Sequence, residues 1–322
     1  MPHIHGLNTL RFFSFLSIFL FHATKTFKYG YLGVDFFFVL SSFLLTYLML
    51  LERERTGGFS KINFFVRRAL RIFPLYYLII IFSFFLLPVI SSYYGYSPSL
   101  PEKKILYWFF LSNYDLSDGV YYLKFLWSIA VEEQFYLLFL LLSRLVLKNV
   151  GFVVGVLLII YYLFMLYAQK NNISTYTHLI THFPNFSAGM ITAFIFFRKN
   201  YKIQYVIGLF LFLIIGIFLV RNDIFLIMLN SILFSTILLI IIYLSKYIEK
   251  SYLFKLTEHL GNYSYGLYVY SGVVITFFSL VIPKNNIFIT LFGEFFILLM
   301  ISIVSFRFFE YPFLKLKKHF TR

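Results

Sequence analysis

Of the ionisable side chains inside or at the edge of runs that otherwise read as lipid-facing helix, seven are the candidates for chemistry: Arg11, His22, Asp35, Glu132 and the cluster Arg67, Arg68 and Arg71. A charge near the centre of a bilayer costs about 2.5–3.5 kcal/mol on insertion scales, so each needs a partner, water or a task. Arg11 and His22 are eleven positions apart, which on one helix leaves them about 20° apart in direction and about 16 Å apart along the axis. With the N-terminus inside, Arg11 falls at the inner rim and His22 near the outer end. Asp35, in GYLGVDFFFVLSSFLLTYL, enters the next helix at the depth of His22. The short turn ATKTFKYGYLG makes the two helices antiparallel neighbours. A carboxylate that accepts one imidazole N–H fixes the tautomer and raises the basicity of the other nitrogen, which is how a general base is oriented. Plainer roles exist for each: a snorkelling rim arginine, an interfacial histidine, an aspartate capping its helix. Ser41 and Ser42, two turns deeper, read as packing hydroxyls.

In FFVRRALRIFPLYY, Arg67 and Arg71 share a helix face and Arg68 flanks them. Such a cluster either anchors to lipid head groups or grips a phosphorylated ligand through bidentate contacts. In LWSIAVEEQFYLLFLLL two carboxylates are adjacent. Helical phase puts Glu132 with Ser128, Tyr136 and Ser143, and Glu133 with Leu126, Ile129, Leu137 and Leu140. Glu132 is therefore the candidate for chemistry, while Glu133 is expected to pair with a neighbouring helix or water and to serve packing. His178 and His182 have the i, i+4 spacing of metal ligands, but no carboxylate or cysteine accompanies them, and no metal is expected. Arg307 and Glu310 are spaced for a structural salt bridge, and Glu294 has no assigned role.

The elements that must position these residues are membrane helices. The 322 residues are 61% hydrophobic and 13% charged, against the roughly 25% charged residues of a soluble domain. Apolar runs of spanning length fall near 8–24, 31–51, 70–90, 124–147, 150–168, 179–197, 203–220, 224–244, 262–282 and 288–309. The expected fold class is all-α: a polytopic transmembrane helical bundle of about ten helices, one integral-membrane domain over 1–322, with no fused soluble domain. MPHIHGLNTLRF lacks a basic leader and a small-residue cleavage site, so the first helix is expected to be retained. The absence of cysteine excludes disulfides, thiolate metal sites and a cysteine nucleophile.

The net charge of +15 is a topology signal rather than a nucleic-acid one. With the N-terminus inside, twenty basic residues fall on the cytoplasmic side and eight outside, accounting for all 28. Both termini are therefore expected in the cytoplasm.

Six segments in order, LNTLRFFSFLSIFLFH, GVDFFFVLSSF, FFVRRALRIFPLYY, LWSIAVEEQFYL, GNYSYGLYVYS and FRFFEYPF, together resemble the integral-membrane acyltransferase-3 family over nearly the whole chain. That family O-acylates extracytoplasmic glycans from acyl-CoA. The resemblance implies that His22 and Arg11 are essential and that Arg67, Arg68 and Arg71 belong to the acyl-CoA side. It departs at Asn8 and Thr9, where the family often has Asp-Gly, at Ser41–Phe43, where it often has Ser-Gly-Phe, and at Ser271, where a histidine is often found.

The expected function is thus transfer of an acyl group, acetyl first among candidates, from cytoplasmic acyl-CoA to a hydroxyl of a surface polysaccharide or lipid-linked oligosaccharide. The expected location is the cytoplasmic (inner) membrane. His22 serves as general base or transient acyl carrier, Asp35 or Glu132 orients it, and Arg11 with the arginine cluster handles the acetyl-CoA side. Two other classes share these features: a transporter or flippase of lipid-linked glycan, which needs no acyl-CoA, and a glycan polymerase, which usually has a larger outer loop than SSYYGYSPSLPEKKILYWFFLSNYDLSDGVYY.

Overall fold

The computed structural model describes residues 4–24, 26–93, 95, 97–115, 120–199, 201–220, 222–281 and 287–320. Lys25, Arg221, Lys284 and Arg322, counted in the charge asymmetry, lie outside the described residues. Among the described residues the regular structure is entirely helical. In chain order the α-helices are α1 (Leu7–Thr24), α2 (Leu32–Thr56), α3 (Lys61–Ile81), α4 (Leu87–Tyr93), α5 (Lys104–Trp108), α6 (Leu126–Lys148) and α7 (Val150–Lys170). They continue with α8 (Phe183–Phe197), α9 (Ile203–Leu219), α10 (Asp223–Ile248), α11 (Tyr252–Gly261), α12 (Ser264–Val281), α13 (Ile287–Ser305) and α14 (Tyr311–Leu316).

Each of the ten apolar segments coincides with a helix, and seven spans are long and apolar enough to cross a membrane. The chain is a multi-pass membrane protein. Hydropathy alone places two boundaries short. α3 begins at Lys61 rather than near 70, where the Ser60 hydroxyl accepts from the Asn63 N–H at 3.4 Å and caps the helix, because its first two turns are amphipathic and basic. The last span runs on to Phe320 through a π-helical turn, Phe306–Glu310. α11 is an additional short helix among the polar residues before the 262–282 segment.

Two compact units are present, each assembled from separated stretches of chain: Met1–Ile18, Tyr29–Phe59 and Gln134–Asn262 in the first, Phe19–Lys28, Ser60–Glu133 and Tyr263–Arg322 in the second. In the first unit α2 packs along α8. Lipid offers no hydrophobic driving force for this, so close van der Waals fit and hydrogen bonds hold the pair. Gly189 of α8 lies against the Val39 carbonyl and Ser42 of α2, where a Cβ would collide with backbone. Beside it the Ser42 hydroxyl donates to the Phe186 carbonyl at 2.5 Å, the packing role read from the sequence. Phe36, Phe43, Phe234 and Leu238 are buried with Leu7 and Leu10 in the core of this unit. Gly33 at the start of α2 approaches the Ser14 carbonyl, and Ser17 donates to the Gly30 carbonyl at 3.0 Å, so these parts of α1 and α2 are neighbours as expected.

In the second unit α3 is the central strut. Its Tyr76 and Tyr77 hydroxyls donate to the Tyr107 and Trp108 carbonyls at 2.8 and 3.0 Å, and Tyr76 stacks on Phe110 at 4.2 Å, binding the α5 loop to the helix. Tyr265 of α12 donates to the Ile72 carbonyl at 2.7 Å. The Arg67 guanidinium donates to the Phe320 carbonyl at 2.6 Å and holds the C-terminal turn on α3.

Candidate active site

The second unit gathers four of the residues singled out above, Arg67, Arg68, Arg71 and Glu132, on α3 and the first turns of α6. Arg67 is buried rather than turned out to the interface. Arg68 lies over the Phe64 ring, 5.8 Å from its centroid, and within electrostatic reach of Glu133. Arg71 is within electrostatic reach of Glu310. Arg68 and Arg71 therefore each have a carboxylate of their own unit within electrostatic reach, which lowers the cost of holding a cation among apolar helices.

Glu132 is half-buried and adjoins Tyr268, whose hydroxyl shares a 2.6 Å hydrogen bond with Ser128. Glu133 is the more enclosed of the two, 4% exposed, and its Oε1 has no hydrogen-bond partner. Its neighbour in helical phase, Leu137, is exposed. Tyr265, on the next turn of α12 from Tyr268, is within electrostatic reach of Glu132, Glu133 and Glu310. Acid residues from α6 and from the π-helical turn thus share one tyrosine. π-turns of this kind recur at functional sites.

His22 joins the same unit through aromatic contacts. Its ring packs on Phe125 at 4.5 Å and on Phe21 at 4.9 Å, and Phe125 meets Tyr268 at 5.6 Å. His22, Phe125, Tyr268 and Glu132 form a chain of neighbours.

Asp35 and Arg11 belong to the first unit. Asp35 is buried, and its Oδ1 lies in hydrogen-bond contact with His182 Nδ1 at 3.0 Å and accepts from the Asn185 amide at 2.8 Å. The histidine held by Asp35 within its unit is therefore His182, at the start of α8. His182 packs on Phe38 at 4.7 Å, and its Nε2 contacts the Tyr176 carbonyl at 2.7 Å. Both ring nitrogens are engaged, so the His178 and His182 pair does not present itself as metal ligands. Arg11 donates to Asn8 Oδ1 at 3.3 Å near the N-terminal end of α1.

The Arg307 and Glu310 pairing expected from i, i+3 spacing is replaced by a different arrangement. The π-helical turn shifts the register, Glu310 turns inward to accept from Ser305 Oγ at 3.3 Å, and Arg307 stays exposed against the Phe308 ring.

An arginine face, a carboxylate pair and a histidine in a membrane bundle match one known family along almost the full chain: the Acyltransferase domain family aligns with residues 4–306. The chain belongs to this family. Among curated proteins, it is 29% identical over 357 aligned residues to the Staphylococcus aureus (strain COL) protein named "Putative O-acetyltransferase SACOL0978", covering 98% of this chain and 58% of that one. It is 28% identical to O-acetyltransferase OatA of Staphylococcus aureus (strain NCTC 8325 / PS 47), covering 97% of this chain and 57% of that one. The chain spans a little over half the length of the curated relatives it matches. No solved structure matches it.

Sequence reasoning missed Tyr265, Tyr268, Asn185 and the contact of Asp35 with His182. Tyr265 and Tyr268 stand in the GNYSYGLYVYS segment, where i, i+3 spacing of tyrosines among apolar residues was the available signal. Asn185 is three residues after His182, a polar pair on one helix face that points to a shared partner.

Proposed function

We propose that this chain is a membrane O-acetyltransferase that moves an acetyl group from cytoplasmic acetyl-CoA to a hydroxyl of an extracytoplasmic or lipid-linked glycan. The observation that carries the reading is the family match over residues 4–306, on a helical chain whose α3 carries a buried Arg67 beside Arg68 and Arg71. The bias of basic residues supports an inner-membrane protein with both termini and the start of α3 in the cytoplasm, where acetyl-CoA is found. Ten crossings follow from that topology.

The donor set on α3 fits a phosphorylated ligand: guanidiniums of Arg67, Arg68 and Arg71 on one face supply planar, charge-assisted donors. Acetyl-CoA supplies the thioester. His22 takes the proton of the acceptor hydroxyl as its oxygen bonds the acetyl carbon, the thioester C–S bond breaks, and the imidazolium returns the proton to the departing thiolate. The products are the acetyl ester and free CoA. Glu132, within electrostatic reach of Tyr268, is the carboxylate of this unit that acts with His22 in this reading. Asp35, bonded to His182 and Asn185, acts in its own unit. Arg11 completes the basic inner end.

The test is transfer in proteoliposomes, with labelled acetyl-CoA on the cytoplasmic face and acceptor glycan on the other. Label appearing in the glycan, none with His22→Ala, and less with Arg68→Ala at subsaturating acetyl-CoA, is expected. Glycan translocation with no need for acetyl-CoA would overturn the reading in favour of a flippase.

A further inference from the structure

A cavity of about 480 Å³ opens in the first unit above the Asp35 and His182 pair. It is walled by the start of α2, the end of α7 and the start of α10, which the proposed topology puts on the extracytoplasmic side. Its volume is in the range of small-ligand sites.

The floor is a closed hydrogen-bond network. His182 Nε2 meets a carbonyl, so it donates, and the Nδ1 contact with Asp35 Oδ1 therefore needs a second proton, held by one partner or the other. Either way the pair is neutral overall. Asn185 donates to Asp35, and its Oδ1 lies 2.6 Å from Ser231 Oγ, which is also 2.7 Å from the Ile227 carbonyl. His182, Asn185 and Ser231 are each 1% exposed. Such a network holds a rigid polar floor inside an apolar bundle.

The walls have a distinct chemistry. Gln169, Asn172 and Asn230 bring amides, Tyr31 and Tyr176 bring aromatic faces, and Asp223 stands at the exposed start of α10. Tyr31 and Tyr176 meet edge to face at 5.6 Å. No lysine or arginine is among the described residues that line the cavity. Amides that both donate and accept, with tyrosine rings beside them, suit a ligand with many hydroxyls and an apolar ring face. A carboxylate at the mouth, uncompensated by a lining cation, disfavours an anionic one.

We propose that this cavity binds an uncharged sugar of the acceptor glycan and discriminates against acidic sugars. The identification of the sugar as acceptor rests on the acetyl-transfer reading above. The binding chemistry does not.

The experiment measures binding of two neutral trisaccharides, chitotriose and maltotriose, and of trigalacturonate to the purified full chain by saturation-transfer NMR and calorimetry. Acetyl-CoA binding is measured in the same samples. At least one neutral probe is expected to bind about tenfold more tightly than trigalacturonate, and Asn230→Ala and Gln169→Ala to weaken it by about tenfold each. Asp223→Lys is expected to narrow the preference at low salt. Binding of neither neutral probe, equal binding of trigalacturonate, or neutral binding unchanged in both amide variants would overturn the proposal. If acetyl-CoA still binds in that case, the acetyl-transfer reading stands without it. Loss of acetyl-CoA binding in the wild-type protein would instead count against that reading.

Discussion

His182 and Asp35 meet through Nδ1 and Oδ1 at 3.0 Å, across 147 residues of sequence, in the interior of the first unit. Removing one partner leaves the other buried and unpaired, whereas removing both deletes the pair. Asp35→Ala and His182→Ala are therefore each expected to lower stability by about 3 kcal/mol, and the double variant by less than their sum. Thermal unfolding of the four proteins in detergent checks this. Strict additivity would show that the contact carries no coupling.

The partner of Asp35 marks where sequence reasoning reached its limit. Apolar runs and their lengths made the helices legible, because the bilayer sets both. Helix adjacency across a short turn was legible too, and it brought α1 and α2 together through Ser14, Ser17, Gly30 and Gly33. The contact of Asp35 with His182 was not. His182 reaches Asp35 because α8 packs on α2 at Gly189, a long-range fit that no local pattern announces. The basic start of α3 escaped hydropathy for another reason: Arg67, Arg68 and Arg71 make it polar although it is helical. Helical phase at α6 grouped Glu132 with Ser128, whose hydroxyl meets Tyr268. It did not anticipate that Glu133 would be the more enclosed carboxylate, since helical phase says nothing about which neighbour covers a face.

Gly189 and Gly155 test the packing of α8. A Cβ at Gly189 meets the Val39 backbone, while one at Gly155 of α7 meets nothing within 4 Å. Gly189→Ala is expected to reduce folded protein sharply. Gly155→Ala should be neutral or stabilising by up to about 1 kcal/mol, from helix propensity alone. Size-exclusion yield and melting temperature distinguish them, and equal behaviour would mean the α2 and α8 contact is looser than described.

Glu258 of α11 closes the N-terminal end of α1: its Oε1 accepts from the Gly6 and Thr9 N–H groups at 2.8 and 3.1 Å and from Thr9 Oγ1 at 3.1 Å. A carboxylate there satisfies orphan donors and complements the helix dipole. Glu258→Ala should cost about 1–2 kcal/mol. Proteolysis of the N-terminal segment should rise with it. An unchanged digestion pattern and melting temperature would remove the capping role.

The α3 arginines separate by role. Arg68→Ala and Arg71→Ala are expected to weaken acetyl-CoA binding by about tenfold each, the loss of one charge-assisted contact. Arg67→Ala should also lower stability, because its guanidinium holds the Phe320 carbonyl. Calorimetry of acetyl-CoA binding beside thermal unfolding resolves the two effects. Undiminished acetyl-CoA binding in Arg68→Ala and Arg71→Ala would return the cluster to a lipid-anchoring role.

The central claim is acetyl transfer through His22. Mass spectrometry of surface glycans from cells carrying the wild-type chain, no chain, or His22→Ala at equal protein abundance addresses it directly. The account predicts acetylated repeats with the wild-type chain and none in the other two. Acetylation that persists in His22→Ala would contradict it.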